Sequence, residues 1–144
     1  MSETHDSPAI SERESFENGY YYFVQAVDTL SLSADAQCER MAGCPYNVAW
    51  DLMHDLRAGD YLLRSPSSSR LSHAQRQATE ALLAHLNSVP PELFVGEGRV
   101  RNLEVMSHPF WQPLRLRAAQ LLRELESATE ECRRFLGIEN ERTS

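Results

Sequence analysis

The chain contains no lysine; all fourteen of its basic residues are arginine. That absence removes the Schiff-base lysine, the phosphate-loop lysine and the serine–lysine nucleophile pair. Cysteine is nearly as scarce. Cys38, Cys44 and Cys132 form an odd set without dense spacing, which argues against a disulfide framework and fits a reducing compartment. No run approaches the roughly 18 apolar residues that cross a bilayer. The stretch Met1–Ser15 has neither a basic n-region nor an apolar h-region, so no secretory signal is expected and the expected location is cytoplasmic. Also missing are the Gly-x-Ser-x-Gly elbow, the dinucleotide fingerprint and His-Glu-x-x-His. The sequence therefore names no catalytic residue and calls for no cofactor.

What is present fits an ordinary globular chain. With 144 residues, 42% of them hydrophobic, the chain is long enough to bury a core without disulfides or metals. Arginine, alanine and leucine richness without lysine is the composition a GC-rich bacterial genome produces. The net charge of −7 is uneven: residues 1–72 carry 11 acids and 5 arginines, and residues 73–144 carry 10 acids and 9 arginines. An acidic surface repels nucleic-acid phosphates and anionic membranes, so neither is an expected partner. A basic protein is drawn to the N-terminal half instead.

Capping signals and apolar periodicity predict an all-α bundle of four to five helices. Ser11-Glu12-Arg13-Glu14 reads as a capping box, and Phe16, Tyr20, Phe23, Val27 and Leu30 recur at helical spacing, giving a helix over 12–31. Leu114, Ala118, Leu121, Leu125, Ala128, Cys132 and Phe135 make a second stripe, read as one long helix over 112–136 and as the spine of the fold. Ser33, Asn47 and Ser72 are caps of three shorter helices, the second ended by Gly59. Ser65–Ser69 reads as a flexible loop, and residues 91–110 as irregular or a short β segment. The expected division is a disordered acidic tail over 1–11, a helical domain over 12–137 and a disordered tail over 138–144. A heptad-like stripe permits either a monomer or a homodimer.

The residues that bear chemistry are few. Asp51, His54 and Asp55 lie at i, i+3 and i+4, one face of a helix, but bundle metal sites need a second such motif and further glutamates, and the chain has no second copy. Glu80 with His85, and Glu104 with His108, are looser pairs. Tyr20-Tyr21-Tyr22-Phe23 must face more than one way, and Phe110-Trp111 lies between Pro109 and Pro113. Phe23 and Trp50 are expected in the core; Tyr21 and Trp111 are candidates for an interface.

These features favour a non-catalytic protein-binding module, most concretely a small acidic bacterial immunity- or antitoxin-like protein that neutralises a basic partner. Asp35, Glu39, Asp51, Asp55 and Asp60 supply its acidic face, with Tyr46 and Trp111 as aromatic anchors. Two alternatives are a secretion chaperone or adaptor, and a metal- or ligand-binding bundle enzyme using His54 with Asp51 and Asp55.

Overall fold

The computed structural model describes residues 11–138, so the expected tails over 1–11 and 138–144 lie outside it apart from Ser11 and Ile138. Among the described residues the elements are all helical. They begin with α1, Glu12–Leu30, capped by Ser11 Oγ accepting from the Glu14 amide at 3.0 Å. Its five periodic apolar side chains are all at most 1% exposed. Burying each contributes roughly 1.5–3 kcal/mol, so this helix sits at the centre. It packs against α3 (Val48–Leu56), α4 (Ala58–Arg64), α7 (Trp111–Glu124) and α8 (Glu126–Leu136). Outside that shell, α5 (His73–Leu86) lies on α4 and α7, and α2 (Ala34–Arg40) on α6 (Arg99–Met106). The all-α expectation holds, with more and shorter segments than four or five.

Each difference from the expected elements has a local cause. The C-terminal stripe from Leu114 to Cys132 is buried as expected, but the helix breaks at Leu125. There Gln75 Nε2 takes the Glu124 carbonyl at 3.1 Å, while the Leu125 carbonyl keeps the Thr129 amide at 2.8 Å and accepts Tyr20 Oη as a second donor at 3.3 Å. Side chains inserted into a carbonyl ladder bend a helix, and the central spine is α1 instead. Gly59 does not end the third helix: the turn comes at Arg57, and Gly59 enters α4. A Cβ at Gly59 would lie 2.8 Å from Phe23 Cε1 and 3.1 Å from Leu83 Cδ1, so glycine there lets α4 approach α1.

Residues 91–110 form a 3-10 turn, Pro91–Phe94, and then α6. Only Asn102, Val105 and Met106 of α6 are buried. That is too short an apolar stripe to show periodicity. Nor is Ser65–Ser69 a free loop. Ser65 Oγ caps a 3-10 turn, Pro66–Arg70, by accepting from the Ser67 amide at 3.1 Å.

That turn carries Arg70 to a carboxylate buried inside the bundle. Glu17 is 0% exposed on α1, and Arg70 donates to both of its oxygens, Nη2 to Oε1 at 2.7 Å. Arg13 Nε adds a bond at 2.7 Å, and Arg70 Nη2 also reaches the Ala128 carbonyl at 2.9 Å. Burial alone would raise the Glu17 pKa; the bonds from Arg70 and Arg13 outweigh it and hold the carboxyl below the usual range. Burial, reinforced by the Glu17 contact, pushes the Cys132 thiol up to about 12.

Arg70→Met should therefore destabilise the fold at pH 7 by about 3–5 kcal/mol, the cost of stranding one buried charge. Because Glu17 is depressed in the folded state, the unfolded chain binds more protons. The stabilisation is complete above the ordinary glutamate pKa and is lost as pH falls below it. Urea titrations of both proteins should show the gap shrinking as the pH is lowered from 7 towards 3; a gap that stays constant would exclude the ion pair as its origin.

Candidate functional site

Helix α3 begins where Asn47 performs several tasks at once. Its Oδ1 accepts from the Trp50 amide at 2.8 Å, and its Nδ2 donates to the carbonyls of Leu93 at 3.1 Å and Gly96 at 3.0 Å. Asn102 on α6 completes the knot, accepting from the Val48 amide at 2.9 Å and donating to the Tyr46 carbonyl at 3.3 Å. The chain around Tyr46 and the chain around Gly96 are thereby pinned side by side. Arg101 fixes the second of them from below, with Nε on the Val95 carbonyl at 2.8 Å and Nη2 on the Glu92 carbonyl at 2.9 Å. Gly96 has φ +98°, and a Cβ there would meet Arg101 Cγ at 2.8 Å. Only glycine gives both the left-handed backbone and the room for that arginine.

Between the two pinned segments lies an open hollow of about 640 Å³ lined by Tyr46, Asn47, Trp50, Phe94, Gly96 and Glu97. Its size and its apolar lining with few polar groups are those of a ligand or side-chain pocket. Tyr46 is 60% exposed and Trp50 51%, a large apolar area to leave in water. Trp50 stacks on His54 with the rings 5.6 Å apart and 5° from parallel.

A second hollow of about 630 Å³ lies between α2 and α6, with Asp35, Cys38, Glu39, Cys44, Arg99 and Leu103 in its wall. Burial raises the Cys38 and Cys44 thiols, and the Asp51 bond adds to it at Cys44. Both thiols are thus held away from the thiolate form that a nucleophile needs.

The expected binding residues fall into three groups. Asp35 and Glu39 are exposed on the wall of the α2–α6 hollow, and Tyr46 is exposed in the aromatic one. The other acids already have partners. Asp51 accepts from Cys44 Sγ at 2.7 Å, Asp55 from Tyr22 Oη at 2.7 Å, and Asp60 meets Arg57 at 3.5 Å. Trp111 departs from the expectation. It is 1% exposed, with its indole N–H on the Val105 carbonyl at 3.0 Å, so it is a core side chain rather than a free anchor.

The expected core position of Trp50 is corrected in the opposite sense. Val48, Ala49, Leu52 and Leu56 form the buried stripe of α3, and at 100° per residue Trp50 points away from it. Phe94, Gly96 and Glu97 were hidden in a stretch without periodicity; the Gly-Glu-Gly spacing at 96–98 was the one available signal for a strained, ordered loop.

Among the described residues no group of three or more His, Cys, Asp or Glu side chains is placed to hold an ion. His54 faces Trp50, His85 sits edge-on to Phe110 at 5.8 Å, and His108 Nδ1 accepts from the Phe110 amide at 3.0 Å. No helix among the described residues is long and apolar enough to cross a membrane. No family model, curated protein or solved structure matches the chain.

Asn47→Asp tests the construction of the site. It keeps the cap oxygen but sets a carboxylate against the Leu93 and Gly96 carbonyls. It should cost about 1–3 kcal/mol in chemical denaturation and change Trp50 emission below the unfolding transition. A variant with wild-type stability and emission would show that the two donated bonds do not hold the loop.

Proposed function

We propose that the chain is a non-catalytic protein-binding module that docks a basic protein through the aromatic hollow and the acids of α2 and α3. Its most concrete form is a bacterial immunity- or antitoxin-like inhibitor, whose acidic face fills the phosphate-binding cleft of a toxin. The observation that carries the reading is the pair Tyr46 and Trp50. Both are more than half exposed, yet both stand on a backbone fixed by Asn47 and Asn102. Tyrosine and tryptophan dominate binding hot spots, and a rigid site loses little entropy when it is filled. Exposed Asp35, Glu39 and Glu97 add negative charge on either side, which speeds encounter with a basic surface.

The test is capture of a tagged chain's partner from the source cells at low salt, followed by affinity measurements on the purified pair. A stoichiometric basic protein released by salt is expected. Trp50→Ala should weaken it about thirtyfold or more, as truncation of a hot-spot residue does. Combined Asp35→Asn and Glu39→Gln should chiefly slow association and flatten its salt dependence, and adding Asp51→Asn with Asp55→Asn should lower affinity further. Absence of any stoichiometric partner, or affinity untouched by all five changes, would overturn the reading.

A further inference from the structure

We infer that the hollow between Tyr46, Trp50 and Phe94 is the socket for an arginine side chain of the partner, its guanidinium against the rings and paired with Glu97; this rests on the protein-binding reading above. Three aromatic side chains and one carboxylate share this lining. Aromatic faces carry negative potential and attract a cation placed over them. A guanidinium suits such a site better than an ammonium, because it is planar, stacks on rings, binds a carboxylate through two donors and sheds water more easily.

No cation of the chain's own fills the role among the described residues. Arg99 lies in the wall of the α2–α6 hollow, and Arg101 is taken up by the Val95 and Glu92 carbonyls and Glu104. Trp50 is already stacked on His54, which holds the indole plane in place before anything binds. The loop carrying Phe94 and Glu97 is held through Leu93, Val95 and Gly96, so the socket exists before the guest arrives. A wholly apolar guest would leave Glu97 without a counter-charge; a carboxylate guest would meet it directly.

The experiment uses the peptide acetyl-Ala-Ala-Arg-Ala-Ala-amide with its lysine and citrulline counterparts. Citrulline keeps the shape of arginine and removes its charge. The chain has two tryptophans; Trp111 is 1% exposed and Trp50 51%, so a peptide-dependent change in emission reports Trp50. The arginine peptide should bind saturably, the lysine peptide more weakly, and the citrulline peptide about tenfold or more weakly. By calorimetry, Trp50→Leu, Tyr46→Leu and Glu97→Gln should each weaken the arginine peptide about fivefold or more while leaving the melting temperature in place.

Equal binding of the citrulline peptide, undiminished binding to Trp50→Leu, or no saturable binding of the arginine peptide would each overturn the socket. The two proposals fail separately. If the arginine peptide binds but no basic partner is captured, the hollow's preference for a guanidinium stands and the protein-binding reading falls. If a partner is captured that holds Trp50→Leu as tightly as wild type but is weakened by the Asp35, Glu39, Asp51 and Asp55 changes, docking of a basic protein on the acids stands and the socket falls.

Discussion

A carboxylate with no access to water must find its compensation inside the protein, and Glu17 finds it in Arg70. The bundle is arranged around that need. Glu17 is on the central helix, and Arg70 ends a 3-10 turn more than fifty positions further along the chain. Arg13 closes over the pair and reaches Glu131 on α8 at 3.2 Å, while Arg70 Nη2, besides its bond to Glu17, donates to the Ala128 carbonyl on α8. Three separate segments therefore have to arrive together for the charge to be tolerated. Apolar stripes alone would permit a helix to slide or rotate against its neighbour; a buried charge with directional partners permits one arrangement. Tyr20, whose hydroxyl lies 2.8 Å from Thr129 Oγ1, extends the same polar seam to the break between α7 and α8.

The opposite end of the molecule uses amides and one arginine, without a buried carboxylate, to the same end. Gln37, 0% exposed, donates to the Leu30 carbonyl at 3.0 Å and accepts from Arg115 Nη2 at 2.9 Å. Arg115 also holds the Leu32 carbonyl at 2.8 Å, which joins α7 to the turn after α1. Asn47 and Asn102 then join α3, α6 and the loop before α6. Short helices have too few apolar contacts to fix their own positions, so polar side chains that satisfy buried carbonyls do it for them. The exposed aromatic hollow is a product of this arrangement. Its walls are held by Asn47, which is part of its lining, and by Asn102 and Arg101, which are not.

Sequence patterns revealed the fold where one helix supplied its own signal. Ser11, Ser33, Asn47 and Ser72 cap as their positions indicate, and the stripes of α1 and of 114–132 are buried. The patterns failed where a partner distant in sequence decided the outcome. Nothing near Leu125 announces that Gln75 and Tyr20 will donate to the carbonyls of Glu124 and Leu125. Nothing in Arg99–Met106 shows that Asn102 will be buried against Tyr46 and Val48. The acids and Tyr46 were legible as surface groups, and Trp50 was recoverable from helix geometry alone. Phe94 and Glu97 were not, because their placement depends on side-chain bonds from Asn47 and Arg101 rather than on local periodicity.

Gly59 sets a limit on how this sequence can drift. Its Cα lies so close to the Phe23 ring that any β-carbon would act as a wedge between α1 and α4. The chain leaves α4 and runs directly into the turn that presents Arg70. A larger residue at 59 must therefore turn the Phe23 ring aside or lift α4 off α1, so the spacing of these two helices is set by the absence of a side chain.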